Sequence, residues 1–232
     1  MKKIILIIFA IVLLTSCEKR IIGDRIPSET GFPSLIEYYY IPSSPIIKHK
    51  TNGKVYNLPY IIGDVDSYLI ISCIDSARIY NFNEDDPSAM RRFENYAKYF
   101  SDTIFSTEHE IDVRDYASVM PLIAINVVTE KKYDAQHPAG SNINDILYLH
   151  TSRNYEKLIA QQYEQGIDRR IDSVSVIRPI NMLNEVFYLH FSKQPECPGS
   201  YTFSITMTFG ADPITGDTIE LAPVVFDFEF KS

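Results

Sequence analysis

Between Tyr201 and Phe230 the chain alternates so strictly that a pair of half-buried strands is the one regular structure that suits it. Tyr201, Phe203, Ile205, Met207 and Phe209 alternate with Thr202, Ser204, Thr206 and Thr208. Val224, Phe226, Phe228 and Phe230 then alternate with Val225, Asp227 and Glu229. Successive strand side chains point to opposite faces, so a period of two lays an apolar row on one face and a polar row on the other. A helix would scatter the same residues around its circumference. Residues 210–217 (Gly-Ala-Asp-Pro-Ile-Thr-Gly-Asp) are rich in turn formers. The whole is expected to be a hairpin.

Strand character extends upstream. Residues 54–62, 67–82, 121–129, 174–180 and 185–191 are rich in β-branched and aromatic residues, with turn residues between them. Two segments read as helix. Asp86 offers an N-cap and Pro87 a first helical residue, after which Met90, Phe93, Ala97 and Phe100 recur at spacings of three and four. Residues 154–165 repeat this with Leu158, Ile159 and Tyr163, ending before Gly166. Short strands at regular spacing with few helices imply a mainly β fold, a β-sandwich crossed by one or two short helical insertions.

The first residues are a different object. Met1-Lys2-Lys3 is basic, Ile4 to Leu14 is apolar, and Leu14-Thr15-Ser16-Cys17 follows. This is the layout of a secretory signal peptide over residues 1–16. The run is well short of the ~20 apolar residues that a bilayer-spanning helix needs. Leu-Thr-Ser-Cys resembles the lipobox of bacterial lipoproteins, which implies cleavage before Cys17 and lipid on its thiol. Two or more acyl chains hold a protein stably on a membrane where one holds it only marginally. Glu18-Lys19-Arg20 lacks the Asp that marks inner-membrane retention, so the outer membrane is expected, with its leaflet open. Residues 17–45, with Pro27, Pro33, Pro42 and Pro45, read as the lipidated N-terminus and a tether, leaving 46–232 for the sandwich. A formal net charge of −8 argues against nucleic acid as a partner.

Two stretches carry a family resemblance. One is Val127-Val-Thr-Glu-Lys-Lys-Tyr-Asp134 followed by His137-Pro-Ala-Gly-Ser-Asn-Ile-Asn-Asp-Ile-Leu147; the other is Pro195-Glu-Cys-Pro-Gly-Ser-Tyr-Thr-Phe203 with the closing hairpin. With the lipobox, they resemble uncharacterised lipoproteins of Bacteroidetes-type bacteria. The resemblance implies an immunoglobulin-like sandwich and brings no activity or catalytic residue with it. Read on its own, the His137–Leu147 phrase is a turn at Pro138 and Gly140 whose Ile143, Ile146 and Leu147 plug inward.

Chemistry-bearing patterns are sparse. Cys73 and Cys197 form a candidate disulfide in an oxidising compartment, with a buried free thiol at Cys73 as the alternative. The histidines have no metal-ligand spacing, Glu108-His109-Glu110 reads as a solvated loop, and no metal or cofactor is implied. Asn81–Asp86 opens like a calcium loop but fails at its sixth and twelfth positions, and Asp212–Asp217 reads as a plain turn. No nucleophile elbow or phosphate-binding glycine loop occurs, so no catalytic residue is assigned. Asp64 with Asp66 are acids on which a hydrolase reading would have to rest. Glycan platforms favour Trp; with none present and 16 tyrosines, Tyr38, Tyr39 and Tyr40 are the candidate platform. Asp75-Ser76, Asp102-Thr103, Asp172-Ser173 and Asp217-Thr218, each followed by an aliphatic or small residue, resemble the O-glycosylation signal of exported Bacteroidetes proteins, with Thr218 the best placed and Ser76 the worst.

The expectation is a lipid-anchored envelope protein acting as a non-catalytic interaction module, held to the membrane through Cys17 and meeting another envelope protein or a glycan. The alternatives are a glycan-binding accessory lipoprotein of an outer-membrane importer and a hydrolase. An exposed row of tyrosines would favour the glycan, a deep cleft with two close carboxyls the hydrolase, and a single apolar patch a protein partner.

Overall fold

The computed structural model describes residues 34–51, 54–57, 60–63, 67–74, 78–81, 85–103, 116–160, 162 and 166–231. The signal peptide, Cys17, the first part of the tether, Asp64, Asp66, Ser76 and the Glu108–Glu110 stretch lie outside the described residues. The fold is mainly β, with several sheets and two helices among the described residues.

The closing alternation forms as read. β12 (Gly199–Phe209) and β13 (Val224–Phe230) pair antiparallel, with Phe203 opposite Phe226 and Ile205 opposite Val224. Their apolar row is buried throughout, from Tyr201 to Phe209 and from Phe226 to Phe230. The connection is longer than the expected turn: the β12–β13 ladder ends at Ile205, Thr206 to Phe209 run on along β8 (Leu122–Thr129), and on the other side an isolated bridge joins Thr208 to Glu220. With β4 (Tyr60–Gly63), which joins β13 in parallel, these strands make a sheet of order β4-β13-β12-β8.

A second sheet has the order β10-β9-β11-β5-β2-β3. Its strands are β10 (Asp168–Arg170), β9 (Leu147–His150), β11 (Val186–Phe191), β5 (Tyr68–Ser72), β2 (Ile46–Thr51) and β3 (Lys54–Asn57). Phe191 of this sheet meets Phe203, Phe228 and Phe230 of the first at ring-centroid distances of 5.5, 5.3 and 5.1 Å. The core is therefore an aromatic layer between two facing sheets, in the edge-to-face and offset geometries that aromatic pairs prefer.

A third sheet corrects the domain boundary. β1 (Tyr38–Tyr40) pairs antiparallel with β6 (Ile79–Asn81) and in parallel with β7 (Tyr116–Ser118). Leu35, Ile36, Tyr39 and Tyr40 are at most 1% exposed, so residues 34–45 belong to the folded body and not to a tether. Pro42 and Pro45, which suggested a tether, are buried between β1 and β2. A residue without an N–H suits a passage between two ladders. The 67–82 run likewise splits into β5 and β6, which serve different sheets.

Asp86 Oδ1 caps α1 (Pro87–Tyr99) by accepting from Ser88 and Ala89 N–H at 3.0 and 3.1 Å, and the helix buries Phe93, Tyr96 and Ala97. Phe93 packs on Tyr39 of β1. The second helix, α2 (Tyr155–Ile159), is shorter than the sequence pattern. The chain has to come straight back beside β9: Thr151 N–H donates to the Ile167 carbonyl at 2.8 Å, and a Cβ on Gly166 would lie 1.7 Å from the Thr151 carbonyl oxygen. Residues 174–180 are not a strand either. They form isolated bridges, Ser175 with Arg178 and Leu122 with Ile180, around a turn at Val176-Ile177.

Candidate functional site

The six-stranded sheet buries one face and leaves rings on the other. Leu69, Ile71, Leu147, Leu149, Phe187, Leu189 and Phe191 point into the core. The alternate positions of β5, β9 and β11 hold Tyr68, Ile70, Tyr148, His150, Tyr188 and His190, and these are half-buried or exposed. Register brings them together. Tyr68 stands opposite His190, which stands opposite Tyr148; Ile70 stands opposite Tyr188, which stands opposite His150.

Two ranks of side chains thus cross three adjacent strands. Tyr148 stacks on His190 at 5.4 Å and 27°, and Tyr68 lies 5.5 Å from the same imidazole. Tyr188 lies 6.2 Å from both Tyr68 and His150. Neighbouring strands are ~4.8 Å apart and side chains on one face repeat every ~6.8 Å, so the patch covers roughly 10 by 7 Å, about the footprint of a disaccharide. Asp168 and Arg170 of β10 and Lys48 of β2 pair in register with His150, Tyr148 and Ile70, which puts charge at both margins. Cross-strand aromatic pairs stiffen a sheet, and the rings here pack at interplanar angles from 27° for Tyr148 on His190 to 84° for Tyr68 on Tyr188. Such a surface offers π faces to C–H groups, and hydroxyl and imidazole groups to polar ones.

No family model, curated protein or solved structure matches this chain. What the sites can do is therefore read from their own chemistry.

The platform expected at Tyr38–Tyr40 is not one. Tyr39 and Tyr40 are fully buried, Tyr40 donating its hydroxyl to the carbonyls of Leu183 and Asn184 at 3.0 and 2.9 Å. Tyr38 is half-buried and stacked on Tyr116 at 4.4 Å. A cluster of three tyrosines in a strand flanked by partner strands must send at least one ring inward. The disulfide is also absent. Cys73 is buried and Cys197 exposed, and both are free. Burial pushes the Cys73 thiol up to about 12, and it contacts the Met207 sulfur at 3.8 Å, as an inert core thiol does.

Three polar clusters are taken up by structure. Asp102, 2% exposed, accepts from Leu35 N–H at 2.6 Å, Ile36 N–H at 3.0 Å, Tyr39 Oη at 3.0 Å and the Ser34 hydroxyl. Burial raises its carboxyl above the usual range while these four bonds oppose the rise. In the His137 turn, Nδ1 lies 2.8 Å from Asp134 Oδ1 and Nε2 lies 2.8 Å from Asp145 Oδ1. Burial alone would raise the Asp134 carboxyl, but Lys193 at 2.6 Å, His137 and two backbone N–H groups outweigh it and hold it far below the usual range. Asn144 grips β8, accepting from Val127 N–H and donating to the Ile125 carbonyl, while Ile143 and Ile146 plug the core. The third cluster lines a cleft of about 240 Å³ that includes Tyr80, Arg92, Tyr96 and Asp212. There Asp212 accepts from the Tyr96 hydroxyl at 2.5 Å and from Ile214 and Thr215 N–H, so its carboxylate closes a turn. Among the described residues no group of three or more His, Cys, Asp or Glu is placed to hold a metal ion.

Of the O-glycosylation candidates, Thr218 is exposed on the β12–β13 connection. Thr103 and Ser173 are half-buried. The Asp102 that would mark Thr103 is held in the core clamp, and Ser173 donates its hydroxyl to the Arg170 carbonyl at 2.6 Å.

The platform residues were present in the sequence as aromatic residues on the off-core parity of three strands. Local periodicity does not unite them, because β5 is about 80 residues from β9 and only the register brings them together.

Proposed function

We propose that this chain is a lipid-anchored, non-catalytic binding module of the outer membrane, and that its ligand is a glycan taken up on the face of Tyr68, Tyr148, Tyr188, His150 and His190. The observation that carries the reading is the register that sets five rings side by side on a rigid, solvent-facing sheet. Pyranose rings present axial C–H groups on a flat face and hydroxyls at the edge. That matches π faces in the middle and Asp168, Arg170 and Lys48 at the margins. The immunoglobulin-like form implied by the resemblance is proposed for the two larger sheets alone. Their facing phenylalanines support it; the parallel β4–β13 pair and the third sheet depart from an all-antiparallel pattern.

The test is an oligosaccharide array followed by calorimetry on the best binder. Tyr148→Ala and Tyr188→Ala are each expected to weaken binding about 30-fold, the loss of an aromatic anchor worth about 2 kcal/mol. Tyr38→Ala is expected to leave affinity unchanged. No binding on the array, or equal affinity in all three variants, would sink the glycan reading.

The anchor has its own test. Cys17→Ser is expected to move the protein from the membrane pellet to the soluble envelope fraction after a high-salt wash. A variant that still pellets with the membranes overturns lipidation at that residue.

A further inference from the structure

We infer that the Val176-Ile177 turn is a membrane-contact tip, shaped to dip two aliphatic side chains into an anionic lipid surface. Val176 is 75% exposed and Ile177 90%, the highest values among the exposed large hydrophobic residues described. They occupy the two central positions of a tight turn: Arg178 N–H donates to the Ser175 carbonyl at 3.0 Å, and Ser175 N–H reaches back to the Arg178 carbonyl at 3.4 Å. Those positions normally take Gly, Asn, Asp or Pro. Two β-branched hydrocarbons there are unfavourable in water and contribute nothing to the core. The base is fixed, since Ile171, Val174 and Ile180 are buried on either side of the turn.

Charge selects the occupant. The Arg169 guanidinium donates to the Arg178 carbonyl at 3.0 Å, which brings two cations to the base of the tip. Arg170 is offset by Asp172 at 2.8 Å, whereas Arg178 is exposed and no ion pair closes it among the described residues. Glu156, which accepts from Asn181 at 2.7 Å, faces Arg169 and offsets it, so in a chain of formal net charge −8 the local positive excess rests on Arg178. Cations just behind an aliphatic tip match lipid phosphates above acyl chains. A protein partner fits less well, because two side chains fall far short of the ~800 Å² per partner that a stable interface buries. The inference stands apart from the glycan reading.

The chain contains no Trp, so Ile177→Trp adds a single reporter. In the full chain this variant, with an unchanged melting temperature, is expected to show blue-shifted emission on addition of phosphatidylglycerol vesicles. Brominated phosphatidylglycerol is expected to quench it. Val225→Trp, on the 59% exposed Val225, is the control and is expected to do neither. Adding Arg178→Glu to Ile177→Trp is expected to weaken the response about tenfold, as reversal of one juxtamembrane charge would. Unshifted, unquenched emission from Ile177→Trp overturns the inference, as does equal quenching of Val225→Trp. So does a response as strong in phosphatidylcholine as in phosphatidylglycerol.

Discussion

Phe203→Ala is expected to lower the melting temperature by about 10 °C. Phe203 is fully buried at the centre of the aromatic layer, 5.5 Å from Phe191 across the sandwich and 5.6 Å from its strand partner Phe226. Truncating a buried Phe costs ~3–5 kcal/mol, through lost transfer energy and the cavity left behind. For a domain of this size each kcal/mol moves the midpoint by roughly 2–4 °C. Its neighbours sit on strands of both facing sheets, so collapse into the hole is restricted. Thermal unfolding followed by circular dichroism measures the shift. A midpoint within a degree or so of the parent would mean that Phe203 does not stand at the centre of the core.

The second large effect is expected at Asp102. Asp102→Ala removes one acceptor that serves four donors, the Leu35 and Ile36 amides and the Ser34 and Tyr39 hydroxyls. Each buried donor left unpaired costs ~1–3 kcal/mol, and partial relaxation leaves a total of about 3–5 kcal/mol. Asp102→Asn keeps an acceptor oxygen and removes a charge that burial opposes, so it is expected to lose less. The loss should also be local first, with proteolytic cutting near Ser34–Tyr40 preceding global unfolding. An Asp102→Ala protein as stable and as resistant to protease as the parent would refute the clamp.

The closing hairpin was legible because a period of two over Tyr201–Phe209 has only one regular interpretation, and α1 because Asp86-Pro87 specifies a start that few other structures use. Information became scarce wherever partners are distant in sequence. Tyr38–Tyr40 sit among prolines and look exposed; Tyr39 and Tyr40 are buried, and Asp102, more than 60 residues away, accepts from the Tyr39 hydroxyl. Residues 174–180 contain enough β-branched residues for a strand, yet Val176 and Ile177 have no ladder to join and become a turn. The aromatic face is the extreme case. Tyr68, Tyr148 and Tyr188 are each ordinary strand residues, and their shared surface follows from the order β9-β11-β5, which local periodicity does not encode.

β1 is the strand nearest the N-terminus among those described, and it is gripped on both sides, antiparallel by β6 and parallel by β7. A tension arriving from the direction of Ser34 therefore runs along the strand axis. It strains both ladders and the Asp102 clamp at the same moment, in shear, where an end-on edge strand would be peeled one bond after another. If the chain hangs from a lipid, the pull would thus be shared between two ladders and a buried carboxylate.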